Sequence, residues 1–455
     1  MDYSSDRPGL FIRRSALPPA YGPKTYMTWA AFLILAIGLL LAILFSGAKI
    51  FVGFLLLNIV GVLVLIGPRG FGLFSNSIFE TATSPTLVTV ALFVLMGEIL
   101  FRSGTVDVLF TSVDRLVGKL KGRLYVVSIV LSTVFGALSG SAVAVAAMLG
   151  RSVLPLMEKR NYDTRASAAT ILAGASLAPI IPPSLLAIIV GSLADVSIAG
   201  LLVAGIIPGL MFATLTLVFV YLWGGRMPPP ESASSDQSVI RSILNMLPFL
   251  FVIFSVMGLI LLGVATPSES AATGVLGALV VAAVFGRLNW NMLREAVLSA
   301  VTIAAVILVI IVSAKLFSQL LSFAGATRGL VALIADLGLS PDLTFLVMML
   351  IPLILCMFID QIAFMLLAIP IYGPIVAALD YDPIWFWTLF LINLTVGSLT
   401  PPFGYTLFAL KGAAEGMSTV DVFRAAWPVV GIFLTGMVIL WLFPALVTVV
   451  PRALR

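Results

Sequence analysis

Apolar residues run along this chain in long blocks, and polar residues are confined to short interruptions. The blocks at 28–46, 50–67, 203–222, 247–265, 269–286 and 422–441 are each 18 to 20 residues long, about the length a helix needs to cross a bilayer. This pattern predicts an all-α polytopic membrane protein. The run from Met27 to Phe45 follows a polar, proline-bearing tail at 1–26. It is longer than the apolar core of a cleavable signal, so a retained first span is expected. The longest polar interruption, Gly224 to Ser242, is rich in Pro and Ser and reads as a flexible linker. It separates a first membrane half at 27–223 from a second at 243–449, with a short tail at 450–455.

The two halves repeat each other. "PLMEKRNYD" from Pro155 and "PIVAALDYD" from Pro374 are offset by 219, as are Pro182-Pro183 and Pro401-Pro402, and Tyr162-Asp163 and Tyr381-Asp382. The same shift lays the apolar blocks of one half onto those of the other. Each half then reads as three spans, a long apolar stretch broken at its middle (124–157; 343–379), a span interrupted by Pro-Pro (166–192; 385–410) and a last span. If the broken stretch is a re-entrant hairpin, each half crosses the membrane about five times, and an odd number inverts the second half relative to the first. With the N-terminus outside, 15 Lys and Arg fall in inside loops and 8 outside, the bias expected of cytoplasmic loops, although the basic tail runs against it. The first hairpin has basic flanks (Lys119, Lys121, Arg123, Lys159, Arg160) and the second acidic ones (Asp336, Asp342, Asp380, Asp382). Hairpins entering from opposite sides should differ in this way.

Breaks in apolar stretches point to chemistry, because unpaired backbone is tolerated at membrane depth only when buried in protein or lining a cavity. "GALSGSAVAVAAMLG" places Ser139, Gly140 and Ser141 at the middle of the first hairpin. Small residues there could serve close helix packing alone, or offer hydroxyl and carbonyl oxygens to a ligand. At the offset position of Ser141 stands Asp360, followed by Gln361. A carboxylate at mid-membrane costs roughly 2.5–3.5 kcal/mol and usually marks an ion or substrate path. Each double proline interrupts its helix and frees carbonyls, beside Ser184 in one half and beside Ser398 and Thr400 in the other. Oxygen cages with few carboxylates suit a monovalent cation such as Na⁺ better than Ca²⁺ or Mg²⁺.

Composition narrows the function further. Hydrophobic residues make up 61% and charged residues 10% of the 455, against about 25% charged in a soluble domain. Histidine is absent and Cys356 is the only cysteine. Ser-His-Asp and Cys-His nucleophiles, His-containing zinc sites and intrachain disulfides are thereby excluded. An intramembrane aspartyl protease would need a second mid-membrane Asp facing Asp360, and none is present. The net charge of +5 is dispersed along the chain, unlike a nucleic-acid-binding stripe. No G-x-x-x-x-G-K-[ST] phosphate loop occurs, so ATP is not the expected energy source. An ion-driven carrier is expected, and no organic cofactor.

"GALSGSAVAVAAMLGRSVLPLMEKRNYD", "IIPPSLLAIIVGSLADVSIAGLLVAGIIPGL", "ATPSESAATGVLGAL" and "LTPPFGYTLF" resemble the large permease subunit of tripartite ATP-independent periplasmic (TRAP) transporters, over about Met27 to Val449. The resemblance implies an elevator-type secondary transporter, coupled to Na⁺, in a bacterial-type inner membrane. It also implies a small four-span membrane subunit as partner and a periplasmic binding protein that delivers a small organic acid. By matching position, a first Na⁺ site would use Ser139, Gly140 and Ser141 with Gly174 and Ala178, and a second Asp360 with Gly397 and Thr400. Ser141, Pro182, Pro183, Ser184, Gln361, Ser398, Pro401 and Pro402 would bound the substrate cavity. This sequence departs from the family at Val145, where relatives often carry a polar residue, and at Arg151. Arg151 could neutralise a substrate carboxylate or snorkel to the interface. Lys315 is a second intramembrane cation, facing substrate, a carboxylate or an interface, and Glu98 and Glu269 read as structural. A stand-alone ion-coupled carboxylate carrier, or a channel on the same repeat, are the alternatives.

Overall fold

A computed structural model describes residues 28–118, 120–223, 238–414 and 416–454. The polar tail at 1–26, Lys119 and most of the 224–242 linker lie outside the described residues. Every regular element described is helical. The first half contains α1 (Trp29–Phe45), α2 (Ile50–Leu65), α3 (Phe71–Ala82), α4 (Pro85–Arg102), α5 (Val106–Val117), α6 (Arg123–Ser139), α7 (Ala142–Ser152), α8 (Leu154–Lys159), α9 (Thr164–Ala175), α10 (Leu185–Leu193), α11 (Ile198–Ala204) and α12 (Ile206–Trp223). The second contains α13 (Val239–Leu261), α14 (Pro267–Val284), α15 (Trp290–Phe323), α16 (Ala326–Asp336), α17 (Pro341–Leu355), α18 (Gln361–Ala378), α19 (Pro383–Leu399), α20 (Tyr405–Ala413), α21 (Thr419–Leu442) and α22 (Ala445–Ala453).

Among the described residues six helical segments are long and apolar enough to cross a membrane, and a seventh is formed if the pair flanking the 50° bend between α3 and α4 counts as one span. The chain is therefore a multi-pass membrane protein. Five further apolar helices, α1, α2, α6, α17 and α19, are shorter.

Local chemistry explains the motif that recurs at the ends of the hairpins. Asn161 and Asp380 both take left-handed backbone, φ 59° and 53°, a conformation these short polar residues tolerate. The tyrosine that follows ties down the start of the hairpin. The Leu124 N–H donates to the Tyr162 hydroxyl at 3.4 Å, and the Tyr381 hydroxyl donates to the Pro341 carbonyl. Burial pushes the Tyr162 hydroxyl above the ordinary phenol range, so it is protonated at neutral pH. The aspartate then caps the next helix: Asp163 accepts from Ala166 N–H, and Asp382 from Ile384 and Trp385 N–H. The "YD" pair is thus a structural clasp.

Two packed groups of helices result. In one, α4 lies against α14 and α15, α13 against α14, and α15 against α2. Small residues permit this approach, since a Cβ on Gly274 would meet Met96 Sδ at 2.6 Å and one on Gly277 would meet Val252 Cγ2 at 2.9 Å. In the other, α6, α7, α9, α10, α12, α18, α19, α20 and α21 pack around the breaks. Between the groups stands an elbow. Arg123, at the start of α6, forms a buried ion pair with both oxygens of Asp114 on α5, and its Nη1 donates to the Gly118 carbonyl at 3.3 Å.

Candidate functional site

The two mid-hairpin breaks share a polar N-cap on the returning helix but differ in length, Gly140-Ser141 in the first and Cys356–Asp360 in the second. α6 ends at Gly140, whose φ of 63° reverses the chain, and Ser141 then caps α7 by accepting from Ala144 N–H at 3.3 Å. The Ser141 N–H donates to Ser139 Oγ at 3.4 Å. A Cβ on Gly140 would lie 3.0 Å from Leu185 Cβ, and one on Gly136 2.8 Å from Ala178 Cα, so the first tip is seated on the Pro-Pro break of its own half. At the second tip Asp360 caps α18, its Oδ1 accepting from Ile362 N–H at 2.9 Å and Ala363 N–H at 3.4 Å. Both of these bonds end on Oδ1. Asp360 is exposed, whereas Gln361 beside it is buried and donates through Nε2 to Ser398 Oγ at 3.0 Å.

The Pro-Pro breaks face these tips. Between α9 and α10 the chain turns through Ser176–Ser184, where the Ser184 hydroxyl donates to the Pro179 carbonyl at 2.6 Å and caps α10. No backbone N–H among the described residues donates to the Ala178 carbonyl. The Gly174 carbonyl accepts from Leu177 N–H at 3.0 Å, and a Cβ on Gly174 would lie 2.3 Å from Ser132 Oγ. Between α19 and α20 the Thr400 hydroxyl donates to the Val396 carbonyl at 2.7 Å, its N–H to Gly397 O at 3.1 Å, and the Ser398 hydroxyl to Thr395 O at 2.9 Å. A Cβ on Gly397 would meet Cys356 Cβ at 2.5 Å. Pro182-Pro183 and Pro401-Pro402 are both joined by cis peptide bonds.

The halves meet crosswise. α7 of the first hairpin packs along α20, and α18 of the second against α10. Gly150 sits where a Cβ would meet Ala413 Cβ and Leu410 Cδ1, both at 2.9 Å. Each hairpin thus touches the break of its own half and the far half-helix of the other. Around the first tip the remaining space is small: a gap of about 10 Å³ is lined by Ser139, Gly140 and Pro183 against Phe93, Val94 and Met96 of α4. Pro182, Pro183, Ser184, Gln361, Ser398 and Pro401 are buried and Pro402 is exposed. No group of three His, Cys, Asp or Glu converges among the described residues, so a cation at either break would be held chiefly by neutral oxygens. Ser139, Ser141, Ser184, Ser398 and Thr400 hydroxyls, freed carbonyls and Asp360 have that chemistry.

The two unusual cations stand elsewhere. Arg151 is exposed in the last turn of α7, and Lys315 on α15 pairs with Glu80 of α3 at 3.4 Å. Glu98 pairs with Arg102 at 2.7 Å, and Glu269 closes a capping box with Thr266. Residues that the sequence reading passed over also belong here. Asn393, a polar residue inside an apolar run, donates to the Met349 carbonyl. Tyr405 stands beside Ser398 and the Gln361 backbone, within electrostatic reach of Asp360. Ser132 Oγ, against Gly174, is buried with no partner among the described residues.

The sequence profile of the tripartite ATP-independent periplasmic transporter, DctM component, matches residues 29–446. The chain belongs to this TRAP large permease family. It is 31% identical over 376 residues to the 2,3-diketo-L-gulonate TRAP transporter large permease protein YiaN of Escherichia coli, covering 82% of this chain and 88% of that protein. It is 28% identical over 392 residues to the C4-dicarboxylate TRAP transporter large permease protein DctM of Pseudomonas aeruginosa, covering 86% and 92%. Over 382 residues it is 28% identical to the sialic acid TRAP transporter large permease protein SiaM of Vibrio cholerae, covering 82% and 88%. The fold is similar to that in the crystal structure of the Alcanivorax borkumensis YdaH transporter, with a TM-score of 0.63 at 15% identity over 90% of this chain and 97% of that one. Membership in the TRAP family makes the chain a transporter component.

Proposed function

We propose that this TRAP large permease is the translocating subunit of a Na⁺-coupled importer for a small organic acid. A periplasmic binding protein delivers the acid, and a small four-span membrane subunit completes the complex in the bacterial inner membrane. The crosswise meeting of each hairpin with the other half's broken helix carries this reading, because it gathers both breaks into one body. In this proposal the two halves are inverted repeats, and that body moves through the α1–α4 and α13–α15 scaffold as an elevator. Ser139, Gly140 and Ser141 with Gly174 and Ala178 hold one Na⁺, and Asp360 with Gly397 and Thr400 the other. The substrate carboxylate docks between the tips, near Ser184, Gln361 and Ser398. Relatives named for 2,3-diketo-L-gulonate, C4-dicarboxylates and sialic acid support an organic acid as cargo.

The test is uptake into proteoliposomes holding the chain with its small membrane subunit and loaded binding protein. An inward Na⁺ gradient should drive accumulation without ATP, and replacing Na⁺ with choline should abolish it. Uptake driven equally by a proton gradient in Na⁺-free buffer would overturn the Na⁺ assignment. Uptake of free substrate without any binding protein would favour the stand-alone carrier.

A further inference from the structure

One contact between the two helix groups has no counterpart in the repeat. In the first half α4 rests on the tip and the break: it packs against α6 and α10, and its Phe93, Val94 and Met96 line the gap over Ser139, Gly140 and Pro183. A shift of 219 carries α4 onto residues 304–321 of α15, and α6 and α10 onto α17 and α20. There the match fails, because α15 packs against α18 and makes at most marginal contact with α17 and α20. The face left open is aromatic and charged. Phe358 and Phe403, at the offsets of Ser139 and Ser184, are 48% and 56% exposed, with ring centroids 5.4 Å apart. Asp360, two residues beyond Phe358, is exposed as well.

The occupant that fits this face is α15 itself. Val312, Ser313 and Lys315 stand at the offsets of Phe93, Val94 and Met96, so they are placed to cover the second tip as α4 covers the first. Leu366 and Leu367 of α18 already share an apolar cluster with Val312, Ala314 and Leu316, so α15 carries this hairpin just behind its tip. Charge matches too. Lys315 is the one charged residue within 304–321, and phenyl rings beside a carboxylate suit an ammonium. Its Nζ has three donors, and its contact with Glu80 is long and open, 3.4 Å with the Glu80 side chain 69% exposed. Seating Asp360 on α15 without a counter-charge would bury an unpaired carboxylate, which is strongly disfavoured. Resting on the inverted-repeat elevator reading above, with this structure as one end state, we propose that α15 seats on Phe358 and Phe403 in the other end state, and that in the Na⁺-free carrier Lys315 there exchanges Glu80 for Asp360. With Na⁺ on Asp360 the carboxylate is already neutralised, and Lys315 stays with Glu80. Lys315 thus serves the return of the empty carrier and not the passage of the loaded one.

The experiment uses the full chain with its small membrane subunit and binding protein in proteoliposomes. Cys356→Ser removes the native thiol, and Val312→Cys with Phe358→Cys, the offsets of Phe93 and Ser139, report docking through a short bis-maleimide cross-link. The pair should cross-link both in choline and in Na⁺ with substrate. Lys315→Met, which installs the residue found at the offset position in α4, should lower the choline cross-link at least threefold and leave the Na⁺-plus-substrate cross-link unchanged. With native residues at 312, 356 and 358, Lys315→Met should slow net uptake at least threefold and spare exchange between Na⁺- and substrate-loaded sides. Lys315→Gln serves the same purpose should Lys315→Met not fold. No cross-link in any condition, or a choline cross-link and net uptake indifferent to both variants, would overturn the inference while Na⁺-driven uptake by the unmodified chain leaves the coupling reading standing. Uptake by the unmodified chain that ignores Na⁺ would overturn both.

Discussion

At the tip of the first hairpin a serine caps the returning helix, and at the same register in the second hairpin an aspartate does. The two residues serve the backbone alike, since Ser and Asp are about equally good N-caps. They differ in cost. A carboxylate at membrane depth is roughly 2.5–3.5 kcal/mol less favourable to insert, and capping alone gives no return for it when serine suffices 219 residues earlier. The charge on Asp360 therefore answers to something other than the helix, and in our proposal that is a cation. In the same proposal the first site, lacking a carboxylate, would rely on hydroxyls and on the Ala178 carbonyl, to which no backbone N–H among the described residues donates.

The elbows before the two hairpins differ in the opposite sense, and breaking that difference should have the largest effect. Arg123 and Asp114 form a buried pair, both side chains about 5% exposed, while the offset positions hold Asp342 and Leu333. Asp114→Ala should destabilise the protein by about 3–5 kcal/mol, because it leaves the guanidinium buried and uncompensated. Thermal unfolding in detergent checks this, and Leu333→Ala, at a position exposed in the second elbow, should cost far less. A smaller effect is expected from closing the space at the second break. Gly397→Ala must displace Cys356 or the carbonyls of Pro352 and Leu353, an overpacking cost of about 1–3 kcal/mol. Cys356→Gly in that background should recover part of it. Gly412→Ala, with nothing within 4 Å, should be neutral or stabilising by up to about 1 kcal/mol.

Much of this was legible in the chain because it rests on local rules. Apolar block length announces the membrane, and Pro-Pro and Gly140 announce where helices stop. The offset of 219 predicted matching elements, and the helix boundaries follow it: α9 at Thr164–Ala175 aligns with the start of α19 at Pro383, and α10 at Leu185 with α20 near Tyr405. Tertiary consequences were not legible. Nothing local in "NYD" shows that Tyr162 reaches back to Leu124, and nothing near Gly150 shows that it exists for Ala413 of the other half. The partner of Lys315 lies 235 residues away, a distance over which periodicity carries no information. The sequence alone places Gln361 beside a mid-membrane break, and its burial against Ser398 comes from packing that only the fold reveals.

The central claim is that each half contributes one cation site at its hairpin tip and break, charged in one half and neutral in the other. Hydrogen–deuterium exchange of the purified protein in nanodiscs, with Na⁺ or choline, tests it most directly. Na⁺ should slow exchange of the amides at 140–145 with 176–181, and of those at 361–364 with 398–400. In Asp360→Asn, which keeps the cap and nearly the same shape, protection at the second set should be lost while the first set still responds. Na⁺-dependent protection at 361–364 that survives unchanged in Asp360→Asn would contradict the account and leave that carboxylate a helix cap.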